Sequence, residues 1–121
     1  MAYEVYKIIH LVGIFLLISG LISAFAITSS GHALTGKIKT FAFATHGLGL
    51  LLVLLGGFGL LARLGLAREI PVWAYLKLAI WAVFALFISV IKRKGQIGWP
   101  LFATMLIIFS AAAYLAIYKP F

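Results

Sequence analysis

The chain has 121 residues, 65% of them hydrophobic, with a mean hydropathy of +1.21. A soluble domain is about 45–50% apolar, so the composition excludes an ordinary water-facing surface. No cysteine is present, which excludes disulfides, thiolate metal sites and thiol chemistry. The formal charge of +8 is carried singly or in short clusters between long apolar runs. That is how Lys and Arg mark loops and helix ends at a membrane, and it argues against nucleic acid as a partner.

A helix needs about 20 apolar residues to cross the hydrocarbon of a bilayer. Four segments are long enough, at about residues 5–27, 41–62, 72–91 and 97–118. The first carries Lys7 early and "SAFA" late, a pairing also found in signal peptides. Its apolar run is too long for that and Glu4 precedes it, so it reads as a retained first helix. A loop, "TSSGHALTGKIKT", leads to the Gly-rich second helix. "RLGLAREIP" leads to the third, which is bulky with Trp73, Trp81, Phe84 and Phe87. "KRKGQ" leads to the fourth, with Ser110, Ala111, Ala112, Ala113 and Ala116. Strand alternation is absent. The expected fold class is all-α: one domain, residues 1–121, an integral membrane bundle of four antiparallel transmembrane helices.

The side holding both termini carries Lys7, Arg63, Arg68 and Lys119, with the two acids Glu4 and Glu69. The other side carries Lys37, Lys39, Lys92, Arg93 and Lys94 and no acid. The dense KRK favours both termini outside and the first and third loops in the cytoplasm.

Helices in lipid approach one another through small residues. Gly13, Ser19, Gly20, Ser23 and Ala24 serve the first helix, Gly47, Gly49, Gly56, Gly57 and Gly59 the second, and Ser110, Ala111, Ala112, Ala113 and Ala116 the fourth. Close packing is the plain reading of each glycine. One coincidence goes further. In "HLVG" and "HGLG" a His is followed by Gly three residues on, and by another seven later: His10, Gly13, Gly20 and His46, Gly49, Gly56. These offsets fall near one helical face. A His beside glycines, here Gly13 and Gly49, leaves room for a flat, large group such as haem b, for which imidazole is a usual iron ligand.

Ionisable groups inside membrane spans are rare and tend to be functional. Three occur here: His10, His46 and Lys77. At about 1.5 Å per residue, His10 and Lys77 lie at matching depth and His46 lies about 15 Å away along the membrane normal. One haem held by both histidines of a single chain is therefore disfavoured. His10 has three open readings: a haem ligand, a proton relay or ligand for a quinone-like molecule, or a hydrogen-bond donor to a neighbouring helix. His46 has the same alternatives of metal ligand or interhelical tie, and His32 reads as a solvated loop residue. Lys77 has two readings. It snorkels towards the terminal side, where Glu4 and Glu69 are candidate partners, or it faces inward beside His10 and holds an anionic group such as a haem propionate. Trp73 and Trp81 share its face, as pocket lining or as packing and interfacial residues.

"YKIIHLVGIFLLISG", "THGLGLLLVLLGGFGLL" and "VWAYLKLAIW" together resemble small bacterial four-helix membrane proteins. That group includes HemJ-type protoporphyrinogen oxidases, CopD-type copper-resistance domains and SirB-like proteins. The resemblance spans helices one to three. It implies haem association, with His10 and Lys77 as the residues that matter, and a bacterial inner membrane. Copper transport lacks its residues, since Met1 and Met105 are the only methionines beside no Cys. The favoured expectation is a b-type haem protein serving electron transfer or haem metabolism. The alternatives are a cofactor-free accessory subunit or homo-oligomeric module with a membrane protein partner, and, last, a small transporter. Whether it is an enzyme is left open: no carboxylate pair, nucleophile–base set or phosphate loop is visible.

Overall fold

The computed structural model describes residues 3–65 and 68–118. Met1 and Lys119, both counted above, lie outside them. The order is α1 (Tyr3–Ser29), α2 (Gly36–Arg63), α3 (Val72–Lys94), a 3-10 turn (Gly95–Ile97) and α4 (Trp99–Tyr118). Among the described residues there is no strand. All four helices are long and apolar enough to cross a membrane.

Each helix boundary has a local cause. α1 closes with Gly31 at φ +89, where its N–H donates to the Thr28 carbonyl at 3.1 Å and that of His32 to Ile27 at 3.2 Å. This pair of bonds satisfies the last carbonyls, and glycine adopts the left-handed backbone it needs without a Cβ clash. α2 starts five residues before the expected apolar boundary. Lys37, Lys39 and Thr40 are polar, yet polarity does not forbid helix, and length estimated from hydropathy stops where the chain leaves hydrocarbon. α3 runs three residues past its expected end, through Lys92, Arg93 and Lys94. Cations in a last turn complement the partial negative charge at a helix C-terminus. Gly98, at φ +85, turns the chain out of the 3-10 segment, and α4 begins one residue before Pro100, which is tolerated in a first turn.

α1 and α2 form the longest seam, and their residues meet in reverse order. A Cβ added to Gly13 would lie 2.6 Å from the Val53 nitrogen, one on Gly20 2.6 Å from His46 Cβ, and one on Gly56 2.7 Å from the His10 nitrogen. A Cβ on Gly49 would strike the Leu17 backbone, and one on Gly59 the Tyr6 ring. These glycines let two backbones touch. Gly47 differs from the expectation, since a Cβ there would meet nothing within 4 Å.

The 3-10 turn ties the far end. Gly95 is buried against Thr28 of α1, and that Thr donates to the Ala24 carbonyl at 2.9 Å. Around it Leu21, Ala24, Leu34, Ala42, Ile88, Ile91 and Met105 make the apolar core. α4 packs mainly on α3 and the 3-10 turn, and it meets α1 at this end through the Phe25 and Phe102 rings, 5.9 Å apart. Its Ser110 and Ala111, expected at a helix contact, are exposed. Large apolar side chains such as Phe15, Leu86 and Ile117 are 70–74% exposed, so the outer surface is itself hydrocarbon.

Candidate functional site

Opposite the core, in the half holding the chain ends, the four helices line a half-open cavity of about 650 Å³. Its walls are mostly apolar: Leu11 and Ile14 of α1, Val53 and Leu54 of α2, Trp73, Trp81 and Phe84 of α3, and Phe109, Ala112, Ala113 and Ala116 of α4. Among the lining residues the charged or ionisable side chains are nitrogen bases or phenols, namely Lys7, His10, Lys77, Tyr3 and Tyr75. The volume falls in the range of about 300–1,000 Å³ typical of small-molecule sites, which are likewise mostly apolar with few polar groups.

His10 reaches this cavity because α2 lacks side chains beside it. In a helix the residue three positions on helps to cover a carbonyl. Gly56 stands at that position after Val53, and Gly57 follows it. His10 packs on both glycines, its backbone and Cβ on Gly56 and its ring on Gly57, and its Nδ1 is 3.0 Å from the Val53 carbonyl oxygen. A carbonyl oxygen only accepts, so Nδ1 carries the proton and donates. In the neutral ring Nε2 then holds a lone pair. This is the only hydrogen bond of His10 among the described residues, and no buried side-chain nitrogen there lacks a partner. Nε2 is therefore turned to the accessible space of the cavity.

His46 is built the same way with the helices exchanged. It packs on Gly20 of α1, three residues after Leu17, and its Nδ1 is 3.0 Å from the Leu17 carbonyl. The repeated His/Gly spacing is thus reciprocal: each histidine reads a carbonyl that a glycine of the other helix uncovers. The two sites differ at the second nitrogen. His46 Nε2 lies 3.0 Å from the Phe84 carbonyl of α3, and the residue is 2% exposed. With both nitrogens turned to carbonyl oxygens, His46 offers no free lone pair to a metal. It ties three helices and lies outside the cavity lining.

The other expected site residues divide. Lys77 faces inward and lines the cavity, within electrostatic reach of His10. Trp73 and Trp81 line it too, and the Trp81 indole N–H donates to the Leu50 carbonyl at 2.9 Å. Gly13 and Gly49 do not line it. Both lie in the α1–α2 seam, where a flat ligand has no room. Gly57 takes the place expected of them: it lines the cavity, and a Cβ on it would meet His10 Cε1 at an ordinary 3.6 Å. His32 is exposed in its loop with Nδ1 3.0 Å from Ser30 Oγ. Sequence reasoning passed over Lys7 as a flanking cation. Its signal was its place one helical turn before His10, on the same face. Among the described residues no three His, Cys, Asp or Glu side chains gather as a metal cluster.

No family model, curated protein or solved structure matches the chain.

Proposed function

We propose that this chain is a multi-pass integral membrane protein of four antiparallel spans, in a bacterial inner membrane, that binds haem b through His10. One observation carries the reading. The Nδ1–H of His10 is committed to the Val53 carbonyl, which fixes the ring and leaves Nε2 facing a largely apolar cavity. Metal-ligating histidines are held in this manner, the outer hydrogen bond setting tautomer and orientation. The cavity chemistry fits the group. Trp73, Trp81 and aliphatic side chains suit a flat apolar ring, and Lys7 and Lys77 are the cations for its carboxylates. When bound, haem supplies a one-electron iron couple whose potential its surroundings tune. The chain's residues exclude water, orient the ring and neutralise its anionic edge. His46 belongs to the scaffold in this reading.

The visible spectrum of the protein in mild detergent tests it. A Soret band that sharpens on dithionite reduction is expected. It should be lost in His10→Ala and kept in His46→Ala and His32→Ala. A protein that stays colourless after haem is added would favour the cofactor-free module, for which the glycine seam and His46 already provide a complete scaffold.

A further inference from the structure

The cavity has one weak wall. Among the described residues, the side-chain hydrogen bonds of α4 stay within α4, from Thr104 to the Pro100 carbonyl and from Ser110 to that of Leu106. α1 is held to α2 by the glycine seam. α4 meets α1 at the core end, where the Phe25 and Phe102 rings lie 5.9 Å apart, and no comparable glycine seam joins α1 to α4. On the outer surface an open apolar groove runs between these two helices, past Phe15 and Ile22. Leu11, Ile14 and Ile18 of α1 and Phe109 of α4 line both the groove and the cavity. On this side, these four apolar side chains stand between the space beside His10 and the outer groove. Within a membrane that face meets acyl chains. Rotamer changes of exposed side chains take picoseconds to nanoseconds, and among the described residues no side-chain hydrogen bond joins α4 to α1.

We infer that the site takes its ligand sideways, from the hydrocarbon of the bilayer through the α1–α4 gap. The ligand class follows from the walls: a membrane-dissolved, mainly apolar molecule with an anionic end that settles at Lys7 and Lys77. This rests on reading the His10 cavity as a ligand site, and it adds where the ligand comes from.

The absence of native cysteine makes the test clean. Ile14→Cys and Phe109→Cys are combined, and the protein is reconstituted in phosphatidylcholine vesicles. The two thiols are bridged with a cleavable bis-maleimide. Haem is supplied in the bilayer, and the Soret band is followed in time. Bridging should slow uptake at least tenfold, and cleavage should restore it. Equal uptake with and without the bridge would overturn the inference. A second arm needs no haem. Trp73→Phe and Trp99→Phe leave Trp81 as the sole indole, in vesicles whose acyl chains carry bromine at mid-depth. Its quenching should fall at least twofold on bridging, and unchanged quenching would again overturn the inference. Should neither wild type nor the unbridged variant take up haem while the bridge still protects Trp81, the haem reading fails and the lateral opening stands. Leu11→Cys with Phe109→Cys gives a second pair if the first does not fold.

Discussion

At the residue scale the two histidines separate scaffold from site. His46 is closed on both sides by carbonyl oxygens, which accept and never donate. A singly protonated ring therefore bonds one of them, and a doubly protonated ring bonds both. Hydrogen bonds between helices in lipid average about 0.6 kcal/mol, and truncating a buried ring also leaves a cavity with its own cost. We expect His46→Ala to lower stability by about 2 kcal/mol on those two grounds, measured by denaturation in mixed detergent micelles, with any Soret band intact. His10→Ala should show the reverse pattern, with little loss of stability and loss of the band. Equal effects of the two variants on both measurements would contradict the division of roles. The type and depth of these residues were legible in the sequence. Their difference was not, because it lies in what meets the second nitrogen, a carbonyl of α3 or open space, and that depends on where a third helix lands.

At the scale of elements, the seam between α1 and α2 turns on single atoms. Cβ positions under 3.0 Å from a neighbouring backbone, as at Gly20 and Gly56, cannot be relieved by a rotamer change. The helices must move apart, and His46 and His10 lose their carbonyls as they do. Gly20→Ala should therefore destabilise clearly, by about 1–3 kcal/mol, the usual range for overpacking. Gly47→Ala, facing open space, should be neutral or should stabilise by up to about 1 kcal/mol through helix propensity. Both are read by the same denaturation assay, and a large loss at Gly47 would place a neighbour there. Number and approximate span of the helices could be read from hydropathy, because 20 apolar residues have few other uses. The glycines could be seen but not sorted. Spacing puts Gly13, Gly49 and Gly57 on related faces, and only the register of α1 against α2 sends two into the seam and one to the cavity. α4 misled for a similar reason. Its alanines suggest close helix contact, whereas Ala112, Ala113 and Ala116 form the thin wall of a cavity.

For the whole molecule, charge and packing are distributed in opposition. The end tied by Gly95 and Thr28 carries Lys37, Lys39, Lys92, Arg93 and Lys94 and, among the described residues, no acid. The fold brings Lys39 of α2 against Lys92 of α3, so this end concentrates like charge although nothing in the core requires it. The cavity end mixes Lys7, Arg63 and Arg68 with Glu4 and Glu69. On the proposed membrane reading, short, cation-rich loops are retained in the cytoplasm, which would put the tied end inside and the His10 cavity towards the outer leaflet. A C-terminal alkaline phosphatase fusion should then be active in cells and a C-terminal green fluorescent fusion dark. The bias is narrow, so it should also be fragile. Arg93→Gln with Lys94→Gln removes two of five cations from the tied end without touching the core, and a mixed or inverted population of reporters is expected. An unchanged orientation in that double variant would mean that the order of helix insertion, rather than loop charge, sets the side on which the cavity sits.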